Sequence, residues 1–131
     1  MDNDSPSRQE HHRRPRSIGG TSKAANISYL EEQHHRDWHT IVGNMNAFQI
    51  SNLLNKLKYI PADVKLVCRF INGSEVRGRG LHNSKNKNKI DVAWKNLFRD
   101  WEFIDIIEYI NNVLLDPAYH LYIVPKDALS L

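Results

Sequence analysis

Residues 71–80, "INGSEVRGRG", decide the fold that the sequence predicts, because an Asn-Gly turn signal is followed there by two more glycines and two arginines. An Asn-Gly pair between two runs that alternate apolar and polar residues is the strongest local signal for a β-hairpin. Residues 64–71 alternate in this way and predict the first strand. Residues 74–81 predict the returning strand, in which Gly78 and Gly80 permit a sharp bend. A strongly bent second strand is typical of a small barrel.

The arginines of this stretch occupy one face of the predicted hairpin. An odd effective loop length places Val76 on the apolar face with Leu66 and Phe70, and burial favours that register. Arg77 and Arg79 then lie together on the opposite face. Such a face is expected to be solvated or to meet an acidic partner.

Length and composition predict one soluble globular domain in the nucleus or the cytoplasm. The chain has 131 residues, of which 40% are hydrophobic and 25% are charged. Cys68 is the only cysteine, so no intrachain disulfide forms, and a reducing compartment fits. We expect no membrane span, because no apolar run reaches the ~20 residues that a span requires. We expect no secretory signal, because residues 1–10 contain no apolar segment.

Positive charge is concentrated in the middle of the chain. Residues 65–95 carry eight Lys and Arg against Glu75 and Asp91, a net charge of +6, whereas residues 96–131 have a net charge of −4. A separation of this kind predicts an anionic partner for the basic part.

The chain divides into a tail, a linker helix and a domain. Residues 1–27 are rich in Ser, Arg and His and predict a disordered basic tail. Residues 28–45 predict a linker helix, with capping-box spacing at the start and a glycine stop near the end. Residues 46–131 are expected to form the domain, which begins with a helix capped by Asn46.

Residues 94–117 are apolar-rich and predict a helix, because their apolar positions recur every three or four residues. The run "FIDIIEYI" within this segment leaves a strand open as the alternative. Asp116-Pro117 ends the segment, and residues 119–124 predict a further strand.

The chain resembles the Sm and Sm-like (LSm) protein family. The resemblance rests on Asn72-Gly73, four residues and then Gly78, with Asn88 ten residues beyond and a short helix before. The end of the chain, "LYIVPKDALSL", is similar to the second signature of the family, in which two strands are joined by a tight turn.

The resemblance implies an α+β fold that is mainly a β barrel. In this family an N-terminal helix precedes a five-stranded, strongly bent antiparallel sheet. The implied strands cover residues 64–71, 74–81, 88–93, 119–124 and 128–131. Residues 94–117 are then a helical insertion between strands three and four.

Sm-family rings typically bind single-stranded RNA at the inner pore, and the resemblance implies that Asn88 contacts a base. The base-stacking position is Asn86, which has no ring, and Val124-Pro125 replace the Arg-Gly of the family. What remains suits phosphate contacts, which are independent of sequence and sensitive to salt. The predicted RNA-binding residues are Asn88, Lys85, Lys87, Lys89, Arg77 and Arg79. Asn72, Gly73 and Gly78 are predicted to form the turn and the bend.

We therefore expect a non-catalytic Sm-like subunit of a multi-subunit assembly, most simply a ribonucleoprotein complex that acts in RNA processing. Strand addition at the fourth and fifth strands would join it to other subunits. The alternative is a scaffold without RNA binding, such as the Sm-like auxiliary subunit of N-terminal acetyltransferase C or a Gemin-like assembly factor. That role would use an exposed apolar face on residues 94–117.

Other chemistry receives little support from the sequence. Glu31, His35 and His39 have i, i+4, i+8 spacing, and two histidines at i, i+4 can bind zinc. No cysteine pair lies near them, and His11 adds no recognisable metal-ligand spacing. We therefore predict no metal and no cofactor. Cys68 on an apolar strand face is not expected to be a nucleophile, and the chain is not expected to be an enzyme.

Overall fold

The computed structural model describes residues 7–80 and 86–128, which fold as α+β with four α-helices and two antiparallel two-stranded sheets. The strands are β1 (Arg8–His12), β2 (Ile27–Glu31), β3 (Val64–Phe70) and β4 (Tyr119–Pro125). The α-helices are α1 (Glu32–Val42), α2 (Ala47–Leu54), α3 (Lys87–Phe98) and α4 (Phe103–Tyr109). Short 3-10 turns cover Arg16–Ile18 and Ala24–Asn26, and a π-helical turn, Ile110–Leu114, continues α4.

The predicted Sm-like barrel is wrong. In the described residues β3 pairs only with β4, and β1 pairs only with β2, so no five-stranded bent sheet exists there. Residues 74–80 are irregular, and residues 88–93 lie inside helix α3. The predicted fifth strand, 128–131, falls almost wholly outside the described residues.

Helix α3 replaces the predicted third strand because its buried positions recur at helical spacing. Asn86 begins the helix, since its side chain accepts hydrogen bonds from the backbone N–H groups of Asn88 and Lys89. Ile90 is buried, but Val92 is 58% exposed, which contradicts the alternation expected of a strand. The buried side chains of the helix are Ile90, Ala93, Trp94, Leu97 and Phe98.

Helices α1 and α3 pack together and form much of the core. Trp38 and Ile41 of α1 are almost completely buried in the same apolar cluster as Trp94 of α3. Tyr59 stacks on Trp94 with ring centroids 4.7 Å apart. Burial of a large aromatic side chain contributes about 2–3 kcal/mol to stability, so this helix pair is a main source of fold stability.

Two asparagines cover the outer edges of the β3–β4 sheet. The Asn55 side chain accepts from the N–H of Leu66 on β3 and donates to the carbonyl of the same residue, at 2.8 and 2.9 Å. The Asn111 side chain likewise accepts from the N–H of Leu121 on β4 and donates to the carbonyl of that residue, at 2.8 and 3.0 Å. Edge groups that a third strand would need are therefore already hydrogen-bonded, which helps to keep this sheet at two strands.

Segment 71–80 crosses from the sheet to the start of α2 without forming a strand. Gly73 has φ +83° and makes the turn after β3. The N–H of Gly80 donates to the Gln49 side chain at 2.8 Å, and its carbonyl accepts from the same side chain at 3.1 Å. Gly78 accepts a hydrogen bond at its carbonyl from Asn46 Nδ2 at 2.7 Å. The polar side chains at the start of α2 therefore hold this segment, and the chain bends at Gly78 although no strand contains that residue.

Residues 8–31, which include most of the tail that was expected to be disordered, form a two-stranded sheet and two 3-10 turns. β1 pairs with β2 in a register that runs from Arg8↔Glu31 to His12↔Ile27. Arg13 donates to the carbonyls of Leu115 and Asn111 from the far end of the chain. The Arg14 guanidinium forms a 2.5 Å ion pair with buried Asp116. These long-range contacts hold a polar segment that has little apolar content of its own.

Local signals were more reliable for the other helices and strands. Asn46 caps α2 as predicted, and it exchanges both hydrogen bonds of a capping box with Gln49. Gly43 ends α1 as predicted, but the helix begins at Glu32, because residues 28–31 belong to β2. Strands over residues 64–70 and 119–124 are confirmed. Within residues 94–117, residues 94–98 and 103–114 are helical, and residues 99–102 between them are not.

Candidate metal centre

Three histidines from two separate elements meet beside helix α1. His35 and His39 lie one turn apart on α1, and His11 reaches them from the adjacent strand β1. One ring nitrogen from each histidine lies within 4.8 Å of the other two. The ring centroids are 4.7–5.6 Å apart and the ring planes are steeply inclined, so the rings converge instead of stacking.

Each ring is oriented by an oxygen acceptor on the side away from the cluster. His35 Nδ1 lies 2.8 Å from the amide oxygen of Gln9, and His39 Nδ1 lies 3.0 Å from the carbonyl of Gly43. His11 Nε2 lies 2.8 Å from the carbonyl of Leu114. A carbonyl oxygen only accepts, so in each ring the proton is on this outer nitrogen. The inner nitrogens are therefore His35 Nε2, His39 Nε2 and His11 Nδ1, each with a lone pair.

The inner nitrogens face one another without a proton to share. His35 Nε2 and His39 Nε2 are 3.1 Å apart, which brings two lone pairs together when both rings are neutral. Among the described residues, buried His11 Nδ1 has no hydrogen-bond partner. A buried polar atom without a partner typically costs about 1–3 kcal/mol. A cation bound between the three nitrogens would satisfy all three lone pairs.

The rings are held in the neutral form that a metal ligand requires. Burial lowers the pKa of His11 to about 4, with a smaller downward contribution from His39 and His35 and an opposing one from its bond to Leu114. Burial also lowers the pKa of His35, and neighbouring His39 adds to that effect. Burial lowers the pKa of His39, against the raising effect of its bond to Gly43. Neutral imidazole is the form that binds metals, so these shifts reduce competition from protons.

One of the three nitrogen–nitrogen distances matches tetrahedral zinc. Zn–N bonds of about 2.0–2.1 Å at the tetrahedral angle separate two ligand nitrogens by about 3.3 Å. The 3.1 Å between His35 Nε2 and His39 Nε2 is close to that value. His11 is 2% exposed and forms the closed side of the cluster. Imidazole nitrogen suits Zn²⁺, Cu²⁺, Ni²⁺ and Fe²⁺ and does not suit Mg²⁺ or Ca²⁺.

A surface cavity of about 250 Å³ opens beside the cluster. His35 and His39 line it, whereas buried His11 does not. Its other lining residues are Glu10, His12, Pro15, Arg16, Ser17 and Asn44. A metal held by the three histidines would therefore have one coordination side that faces this cavity.

The sequence spacing singled out His35 and His39 but led to the prediction of no metal, and it gave no reason to add His11. Glu31, which shares the helical spacing of His35 and His39, is the last residue of β2, and its carboxylate lies 3.7 Å from His34. His11 lies 24 residues before His35 in a segment that was predicted to be disordered. The one sequence feature that pointed to His11 was the concentration of histidines, because five of the seven fall between residues 11 and 39.

The described residues that were predicted to bind RNA lie on two separate segments. Lys87, Asn88 and Lys89 are exposed on the first turn of α3, and Arg77 and Arg79 are exposed on the irregular segment 71–80. Lys85 lies outside the described residues. Asn72 and Gly73 form the turn after β3, as predicted.

Cys68 does not have the environment of a reactive thiol. Burial raises its pKa to about 12, and the charge of Asp116 acts in the same direction. The thiolate is therefore scarcely populated near neutral pH.

The fold and the cluster together define a small α+β protein with a preorganised three-histidine centre. No protein-family model, no curated protein and no solved structure matches this chain. In the described residues no helix is both long and apolar enough to cross a membrane.

Proposed function

We propose that this protein binds one divalent transition-metal ion of the zinc class through His11, His35 and His39. The observation that carries the proposal is the set of three inner lone pairs, each fixed by a hydrogen bond on the opposite ring nitrogen. Outer hydrogen bonds of this kind orient the ring and select the tautomer in metal sites. Neutral histidines packed only for stability would avoid a contact between two bare nitrogens.

The ligand set selects among metals. All three donors are imidazole nitrogens, and Cys68, the one cysteine of the chain, is not part of the group. Nitrogen-only donors favour Zn²⁺, Cu²⁺ and Ni²⁺ over cations that prefer oxygen. Three protein ligands with a fourth position open are typical of zinc sites that bind water or another exogenous ligand.

Metal binding is tested with protein stripped by a chelator and titrated with Zn²⁺ against a chromophoric competitor. We expect one equivalent to bind with high affinity, and His11→Ala, His35→Ala and His39→Ala each to abolish that binding. His34→Ala is the matched control, because His34 lies on the same helix, has a partner at 3.7 Å in Glu31 and is outside the cluster. Circular dichroism of each variant excludes loss of folding as the cause.

The outer hydrogen bond from His35 gives an independent test. Gln9→Ala removes the acceptor of His35 Nδ1 and leaves all three ligands in place. Its affinity should fall about 10–100-fold while the stoichiometry stays at one metal per chain. Absence of saturable Zn²⁺ binding by the wild-type chain, or binding that survives all three histidine substitutions, would contradict the proposal.

Contact with RNA remains a second proposal, supported by one surface feature. A cavity of about 300 Å³ is lined by Lys56, Lys58 and Lys87, with Asn88 beside them. Lysines around a groove suit phosphate contacts whose strength falls with salt. The test is binding of a fluorescent single-stranded RNA over a salt series, with Lys56→Ala/Lys87→Ala as the variant and Lys126→Ala as the control. If RNA affinity fell equally steeply with salt in the wild type, the double variant and the control, phosphate contact at this cavity would be contradicted.

The alternative, a scaffold that binds other proteins, also has one supporting observation. Ile104 on α4 is 65% exposed, and Trp101 just before that helix is 45% exposed. Both lie in the segment where an exposed apolar face was expected for this role. Strand addition at β4 would have to displace the Asn111 side chain from Leu121.

A further inference from the structure

The side of the cluster that faces the cavity determines what else a bound metal would contact. His11 closes the inner side, because it is almost fully buried. His35 and His39 border the cavity of about 250 Å³. A fourth ligand therefore reaches the metal through this cavity, and its source is either a side chain of the lining or a molecule from solution.

The side chains of the lining are poorly placed to be the fourth ligand. Glu10 and His12 flank His11 on strand β1 and line the cavity, but neither joins the three nitrogens within 4.8 Å. His12 Nε2 lies 3.3 Å from the Ser22 hydroxyl, which engages its ring elsewhere. Among the described residues, no carboxylate or thiol joins the three nitrogens within 4.8 Å. The fourth ligand is thus expected to come from solution.

Charge indicates the chemistry of that ligand. Three neutral imidazoles supply no charge to balance a divalent ion, and Glu10 is the one acidic residue among those lining the cavity. A partly buried charge is costly unless it is paired. An anion in the fourth position would compensate part of that charge. Arg16, which also lines the cavity, offers a planar guanidinium that matches a carboxylate or phosphate group.

We infer that the cavity beside His35 and His39 binds a small oxyanion, a carboxylate or phosphate group of a free small molecule, between the metal and Arg16. This inference rests on the proposed metal site. The cavity volume admits a group of a few heavy atoms. Arg16 belongs to the short 3-10 turn that follows β1, so one segment supplies both a metal ligand and the anion contact.

The inference is tested on the full chain loaded with Co²⁺, whose visible absorption depends on the ligands of the metal. Acetate and inorganic phosphate are titrated separately, so that the two oxyanion classes are compared. We expect a saturable change in the Co²⁺ spectrum with at least one of them. Arg16→Gln should weaken that binding about tenfold, the factor expected for one charge-assisted contact. It should leave the affinity for Co²⁺ itself unchanged.

Arg36→Gln is the matched control, because Arg36 is exposed on α1 and pairs with Glu32 at 2.9 Å, away from the cavity. A Co²⁺ spectrum that does not respond to either anion would overturn the inference and leave the metal site intact. A Co²⁺ spectrum altered by Glu10→Gln or His12→Ala before any anion is added would also overturn it, since the fourth ligand would then be internal. Complete absence of a Co²⁺ band would overturn the metal site as well.

Discussion

Gly80 is the single residue on which the path of segment 71–80 depends most. A Cβ atom placed on Gly80 would lie 1.5 Å from the carbonyl oxygen of Asn44, a backbone atom that cannot move aside cheaply. A Cβ atom on Gly78 would meet nothing nearer than a side-chain carbon of Ile18 at 3.9 Å. Close backbone approach, and not a bend in a strand, explains why glycine is required at the end of this stretch.

Gly80→Ala should therefore destabilise the protein far more than Gly78→Ala. We expect a loss of about 2–3 kcal/mol in the free energy of unfolding for Gly80→Ala, as for other overpacked sites. The matched Gly78→Ala change should stay within about 0.5 kcal/mol of the wild type. Urea denaturation of both variants measures the difference, and equal losses would contradict the close approach of Gly80 to Asn44.

His11 makes the stability of the metal-free protein depend on pH. Its pKa is about 4 in the folded protein against an ordinary value of 6.5. Between these two values the unfolded chain binds a proton that the folded protein does not, so stability falls as the pH decreases through this window. Above about pH 6.5 the neutral His11 ring contributes its full amount to the free energy of unfolding, about 3 kcal/mol.

The comparison that isolates this effect uses urea denaturation in the presence of a chelator. The two conditions are about pH 7.5 and about pH 4.5, which enclose most of the pH range over which His11 alters stability. His11→Gln, which does not titrate there, should lose less stability between the two conditions than the wild type does. His34→Ala should behave like the wild type. Parallel losses in wild type and His11→Gln would show that the buried ring does not carry the effect.

At the scale of elements, the β3–β4 sheet is completed by side chains instead of by further strands. Asn55 and Asn111 bind the backbone N–H and carbonyl of Leu66 and Leu121, respectively, at the outer edges of the sheet. Asn111 lies in the π-helical turn, and its residue is 9% exposed, whereas Asn55 is exposed to solvent. Water can therefore replace the Asn55 side chain more readily than the Asn111 side chain.

Asn111→Ala should consequently destabilise the protein by about 2–3 kcal/mol, because it leaves a buried N–H and a buried carbonyl of Leu121 without partners. Asn55→Ala should cost less, about 1 kcal/mol, since its site is open to water. Asn112→Ala is the control, because Asn112 is the exposed neighbour in the same turn. A loss for Asn111→Ala no larger than that for Asn112→Ala would contradict the edge role of this side chain.

Helix α1 serves two purposes on two faces. Trp38 and Ile41 face the apolar core, while His35 and His39 face β1. The i, i+4 spacing on an α-helix places two side chains on one face, so the pair is preset by local geometry. The third ligand depends on how β1 is placed against this helix, which no local rule determines.

At the scale of the whole molecule, the three-histidine centre links the N-terminal segment to the helical core. His11 enters from β1, and its outer partner is the carbonyl of Leu114, 103 residues further along the chain. Arg13 and Arg14 add contacts to the same region around Asp116. A metal bound here would therefore cross-link β1 to α1 in the folded state only.

Metal binding should raise global stability by mass action. At a free Zn²⁺ concentration of 100 times the dissociation constant, the free energy of unfolding should increase by about 2.7 kcal/mol, if the unfolded chain does not bind the ion. Chelator should reverse the increase, and His11→Ala should abolish it, whereas His34→Ala should retain it. Thermal or urea unfolding with and without Zn²⁺ provides the measurement, and no increase in the wild type would contradict a site that spans β1 and α1.

Local chemistry explains which parts of this architecture could be predicted. The capping box of α2 requires only Asn46 and Gln49, three residues apart, and the helix forms where it was expected. The alternation that indicates β3 is likewise contained within residues 64–70. Helix α3 was missed because Ile90 and Val92 suggested a strand, whereas burial follows the longer helical period through residue 98.

The sequence by itself determined the elements whose signals are short in range: the capped helix α2, the strands β3 and β4, the end of α1 at Gly43, and the pairing of His35 with His39 on one helix face. Tertiary structure alone decided the remainder. Contacts between residues far apart in sequence determine the fold of residues 8–31 and the limit of two strands in each described sheet. They also determine the position of His11 beside His35 and His39. The energy of such contacts depends on what each group meets after folding, which local composition does not encode.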